Sequence, residues 1–71
     1  MRYYFHIASS ESVFADQDGQ ELDNIRDALA LAAVIADELA QDDGVYSGFV
    51  VLVVDDNGTE VDRVPINSKG G

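Results

Sequence analysis

Positions alternate with a period of two near the start of the chain, apolar residues recur at close to 3.6 through its middle, and an unbroken apolar run follows near its end. In "RYYFHI", Arg2 to Ile7, alternation puts Tyr3, Phe5 and Ile7 on one face of a strand and Tyr4 and His6 on the other. Ala8 to Ser12 reads as a turn, and Val13 to Asp16 as a short returning strand that closes a hairpin. From Asp23 the spacing changes. Ile25, Ala28, Leu29, Ala32, Ile35, Ala36 and Leu39 form one apolar stripe, which predicts a helix from Asn24 to near Asp42. Asp23 is the first choice of N-cap and Asn24 the alternative, since either side chain can accept from the free N–H groups of the first turn. Gly44 supplies the expected stop.

The last third returns to strand chemistry. Phe49 to Val54 is an unbroken β-branched and apolar run, the pattern of a strand covered on both faces. Asn57-Gly58 predicts a two-residue hairpin turn with positive φ at both central positions. Thr59 to Ile66 then returns as a strand, and Pro65, which cannot donate to a ladder, assigns it to a sheet edge. These elements predict an α+β fold, ββαββ. Its four-stranded antiparallel sheet has the order 2-1-3-4, with one helix packed on one face. Residues 1–67 form one small domain and 68–71 a flexible tail.

Composition narrows the energetics. A 71-residue chain buries only about 60% of the surface its unfolded form exposes, and cysteine is absent, so disulfides and thiolate metal sites cannot staple it. Fourteen acids against four bases give a formal net charge of -10. That field opposes nucleic-acid and membrane binding, and it leaves solubility or a basic partner as its use. The start "MRYYFHI" does not resemble a signal peptide, and "FVVLVV" is far short of the roughly 20 residues of a membrane span. A cytoplasmic location is expected.

Candidate chemistry is sparse. "DQDGQELDNIRDA", Asp16 to Ala28, has the acids of a calcium loop but not the register. Starting at Asp16 puts Glu21 where the loop needs glycine, and starting at Phe14 loses the first ligand. The stretch reads instead as a turn at Asp18-Gly19 followed by a capped helix with acids at its positive end. Asp37, Glu38, Asp42 and Asp43 crowd the opposite end, where Glu38 and Asp42 form a like-charge i,i+4 pair. His6 is the only histidine, no serine lies in a nucleophile elbow, and no glycine-rich phosphate loop is present. No catalytic, cofactor or metal residue is assigned, and a non-enzymatic role is expected.

One feature exceeds a minimal fold. Val50, Leu52 and Val54 face away from Phe49, Val51 and Val53, yet a single helix covers only one sheet face. With Tyr4 and His6 beside them they form a candidate interaction surface, and the first expectation is a homodimer through it. Val34 is a weaker exposed candidate on the helix. The alternative is an acidic regulator or decoy for a basic protein, motivated by nine acids against one base from Asp16 to Asp43.

The order of short motifs resembles a family of small bacterial proteins of unknown function. Its features are Tyr4-Phe5-His6, the acidic turn Asp16-Gln17-Asp18-Gly19-Gln20-Glu21-Leu22 before an alanine-rich helix, Gly48-Phe49, Asp55-Asp56-Asn57-Gly58 and Val64-Pro65-Ile66. The resemblance spans nearly the whole chain and implies no reaction, ligand or catalytic residue.

Overall fold

A computed structural model describes residues 1–41 and 44–67. The fold is α+β: one helix against an antiparallel sheet. The elements are β1 (Arg2–Ala8), β2 (Val13–Phe14), β3 (Gln20–Glu21), α1 (Ile25–Leu39), β4 (Val50–Val54) and β5 (Glu60–Pro65). The sheet path is β2-β1-β4-β5, with β3 paired to β1 off that path. Four strands in ββαββ are thereby corrected to five in βββαββ. Strand β3 has only two residues, too few for alternation to register, and it follows the turn at Gly19 directly.

The core is thin because its helical side is built from alanine. Ala28, Ala32, Ala36 and Ala40 are buried along one ridge of the helix, against Tyr3, Phe5, Val51, Val53 and Ile66. Small side chains let the helix axis approach the sheet, while Leu31, Ile35 and Leu39 fill the flanks half-buried. Ile25, placed in the stripe by its spacing, is instead exposed at the first turn, as is Val34 farther along. No helix among the described residues is long and apolar enough to cross a membrane.

Boundaries moved for identifiable reasons. Asn24 caps the helix, not Asp23: its extended backbone (φ −158°, ψ 171°) lets Oδ1 accept from the Asp27 N–H at 3.0 Å. The helix ends at Leu39 with Ala40 as C-cap in the right-handed region, so Gly44 (φ 81°) does not terminate it. The expected extension toward Asp42 fails at Ala40 and Gln41, which already form a turn, while Asp42 itself, the Glu38–Asp42 pair, Asp43 and the 68–71 tail lie outside the described residues. Phe49 falls just before β4, although its carbonyl accepts from the Ile66 N–H at 2.9 Å.

The β4–β5 connection also differs from a two-residue turn. The Gly58 N–H donates to the Asp55 carbonyl at 3.0 Å, which makes Asp56 and Asn57 the central residues and puts Gly58 after them at φ 81°. This is a three-residue loop closed by a left-handed glycine. Asp55 selects it, because its Oδ1 accepts from the Asn57 and Thr59 N–H groups at 2.9 and 3.0 Å. Among the described residues strand β5 pairs only with β4, which puts Pro65 on an edge.

Gly19 is far more crowded than Gly48 or Gly58. It has φ 71°, and a Cβ there would lie 2.8 Å from Tyr4 Cε2, 2.9 Å from Arg2 Cγ and 3.0 Å from the Tyr3 carbonyl oxygen. The left-handed conformation alone costs an ordinary residue about 1–2 kcal/mol, and the carbonyl cannot rotate away as a side chain can. Gly19→Ala is therefore expected to lower stability by more than about 2 kcal/mol in urea titration. Gly48→Ala, with nothing within 4 Å of its Cβ, isolates the conformational cost. Equal losses in the two variants would show that the close approach at Gly19 contributes nothing.

Candidate functional site

Register assembles the sequence-predicted residues on one surface. Opposite each other in the ladder are Tyr4 and Val54, His6 and Leu52, and Ala8 and Val50. On the other side of β4 the partners are Glu60 for Val54, Arg63 for Leu52 and Pro65 for Val50. Directly paired residues share a face. The helix-free face is thus three cross-strand rows: Tyr4–Val54–Glu60, His6–Leu52–Arg63 and Ala8–Val50–Pro65. Val51 and Val53 of the same strand are fully enclosed beneath the helix, whereas Val50, Leu52 and Val54 are half-buried.

Tyr4 and His6 are half-buried too, their rings stacked at 6.4 Å with an 18° interplanar angle. The apolar strip is shaded by its neighbours, and among the described residues no second layer lies over it. A cavity of about 340 Å³ opens at one end, over Val50 and Leu52, bordered by Ala8, Ser9, Ser10, Gly48 and Arg63. His6 does not line it. Glu60 and Arg63 were not singled out from the sequence. Their placement follows from register: Arg63 lies across from Leu52, and both its Nε and Nη2 donate to Glu60 at 2.8 Å.

His6 and Asp16 are tied together. The Asp16 N–H donates to His6 Nδ1 at 2.9 Å, which leaves the imidazole proton on Nε2. In return Asp16 Oδ2 accepts from the Phe5 N–H at 3.2 Å, and Oδ1 accepts from Asp18 and Gly19 at 3.2 and 3.1 Å. Strand β1 pairs with β3 through Arg2 and Tyr3 and with β2 through Ile7 and Ala8. The Asp16 carboxylate fills the gap between those two short ladders. This explains why β2 stops at Phe14 and does not reach Asp16, because the chain turns there to present a side chain in place of backbone.

Chemically, the opening acidic stretch is a lock and a helix entry. Partial burial works to raise the Asp16 pKa, but the N–H groups of Gly19, Phe5 and Asp18 outweigh it and hold the carboxyl below its ordinary value. No cluster of three or more metal-ligating side chains occurs among the described residues. A second surface group lies at the open end of the sheet. Phe14 stacks on Phe49 at 6.1 Å and Tyr46 meets Phe49 edge-on at 5.7 Å, while Val13, Phe14 and Val45 stay exposed.

The lowered Asp16 pKa makes a signed prediction. Its folded-state value lies below the unfolded one, so its contribution to stability is present above about pH 4 and is lost as pH falls through the folded value. Asp16→Asn is expected to be less stable at pH 7 by about 1–2 kcal/mol. The deficit should shrink toward pH 3 in urea titrations. A deficit independent of pH would mean that the charge of the carboxylate does not hold the lock.

Comparison with known proteins finds a family match. A family model described as a domain of unknown function (DUF6894) matches residues 2–67, which is every strand and the helix. No curated protein and no solved structure matches the chain.

Proposed function

The chain belongs to the DUF6894 family, and from that premise we propose that it is a small interaction module that self-associates through the helix-free sheet face. The observation that carries this reading is how charge is distributed. Two of the four bases, Arg2 and Arg63, lie on this face, each opposite or beside a glutamate. Arg63 is bidentate to Glu60, and Arg2 approaches Glu21 at 3.7 Å. These four charges cancel, and four of the remaining acids, Asp23, Asp27, Asp37 and Glu38, belong to the helix or its entry, while Asp56 stays at the rim of the face, its Oδ2 accepting from the Arg2 N–H at 3.4 Å. A second copy can approach this surface against a weaker field than it meets on the helix side.

Size and chemistry agree with that use. A standard interface removes about 800 Å² from each partner, against 4574 Å² of accessible surface for the chain. One broad face of so small a domain is enough. Covering Val50, Leu52 and Val54, with Tyr4 and His6 at their side, would add several kcal/mol at about 25 cal/mol per Å². A two-fold arrangement sets like rows against one another, as in most homodimers.

Sedimentation velocity tests the reading. The protein is expected to be dimeric at high micromolar concentration and to remain so in high salt, because the contact is largely apolar. Leu52→Lys, which puts a charge at the centre of the face, should give a folded monomer by circular dichroism. A wild-type monomer across that range, or a Leu52→Lys dimer, would overturn the assignment. Partners captured only at low salt would point instead to a basic protein bound by the acidic surfaces.

A further inference from the structure

We propose that Asn57 is a site of spontaneous deamidation whose rate is set by the Asp55 side chain. Asn57 and Gly58 stand at the tip of the β4–β5 loop, both exposed. A Cβ on Gly58 would meet nothing within 4 Å beyond its own chain neighbours, so the tip stands in open space. The chain's other asparagines precede Ile25 and Ser68, whose side chains hinder the following amide as Gly58 cannot.

The chemistry needs no cofactor. The Gly58 nitrogen loses its proton and attacks Asn57 Cγ, and a C–N bond forms as the Cγ–Nδ2 bond breaks. The amide nitrogen leaves as ammonia, taking up the proton, and a five-membered succinimide remains. Water then opens one of its two carbonyl–nitrogen bonds. Opening at Cγ gives aspartate, and opening at the main-chain carbonyl gives isoaspartate with one more carbon in the backbone. Either product adds a negative charge beside Asp55 and Asp56.

The folded loop opposes the first step. The attacking nitrogen is engaged, since the Gly58 N–H donates to the Asp55 carbonyl at 3.0 Å. Asp55 Oδ1 holds the N–H groups on either side of it, those of Asn57 and Thr59. Ring closure requires Gly58 to give up its bond and the Asn57 side chain to fold back over it, so the turn must open before the reaction starts. The same carboxylate that selects the three-residue loop therefore restrains the modification of its tip. An extra backbone carbon in this loop would act on the Val54–Glu60 pairing, next to which the ladder already shifts register.

The test is incubation of the whole chain at pH 7.4 and 37 °C, with peptide mapping that separates asparaginyl, aspartyl and isoaspartyl forms. Product is expected at Asn57, with the mass gain at that position abolished in Asn57→Asp. The native protein should react at least about tenfold more slowly than the same chain in urea, the ratio expected for about 1.4 kcal/mol of turn restraint. Asp55→Ala should move the native rate most of the way to the urea rate. Asp55→Asn, which keeps an acceptor oxygen, should stay near wild type. No product at Asn57, or equal rates in native and urea-unfolded protein, would overturn the proposal whether or not Asp55→Ala folds.

Discussion

Strand β1 is the centre of the molecule, and its outer edge is closed by one side chain. On its inner edge β1 makes a continuous five-residue ladder with β4. On the outer edge it meets two strands of two residues each, and between them the Phe5 N–H has no strand to face. A half-buried amide without a partner costs about 1–3 kcal/mol, a large fraction of what a small domain has in hand. Asp16 removes that cost by accepting from Phe5 while its own N–H goes to His6. The carboxylate also gathers Asp18 and Gly19, which turns the chain so that Gln20 and Glu21 return to β1 as β3. Two motifs that read as separate in the sequence, Tyr4-Phe5-His6 and the acidic turn from Asp16, are thus two halves of one contact.

The same device occurs again at the β4–β5 loop. In both places an aspartate is followed three residues later by a glycine at positive φ, Gly19 at 71° and Gly58 at 81°. In both, one carboxylate oxygen accepts two backbone N–H groups from the residues that follow. The surroundings differ. Gly19 lies against Tyr4 and the β1 backbone, whereas Gly58 points into open space. One turn is therefore part of the packing and the other is an exposed tip, although their sequence pattern is alike. That contrast explains why substitution at the first glycine acts through sterics and chemistry at the second acts through the chain itself.

Much of this architecture could be read from the sequence, because it rests on periodicity. The alternation of Tyr3 and Phe5 against Tyr4 and His6, and of Val51 and Val53 against their neighbours, set the two sheet faces. The spacing of Ala28, Ala32 and Ala36 set the buried ridge of the helix. What periodicity could not supply was anything fixed by a single side chain. Strand β3 exists because of the Asp16 turn, the loop type follows from Asp55, and the cap passes to Asn24 through one bond to Asp27. The apolar residues of the candidate face could be named in advance. Glu60 and Arg63 could not, because they depend on a register shift between Val53 and Val54 that no local pattern announces.

The alanine ridge has a consequence for that face. A helix that presents methyl groups sits close to the sheet and encloses little volume, so the core is one layer of Tyr3, Phe5, Val51, Val53 and Ile66 against a smooth surface. A larger helical side chain would add burial but would push the helix away from the valines it covers. Further stabilisation has to come from outside the helix side, where the central strand still carries Val50, Leu52 and Val54 only half-covered. With no cysteine to cross-link the chain and a net charge of -10 opposing compaction, that second side is an apolar reserve the domain can draw on. Both arginines of the face have a glutamate beside them, Glu60 for Arg63 and Glu21 for Arg2, so a second layer over the reserve would meet paired charges at its rim.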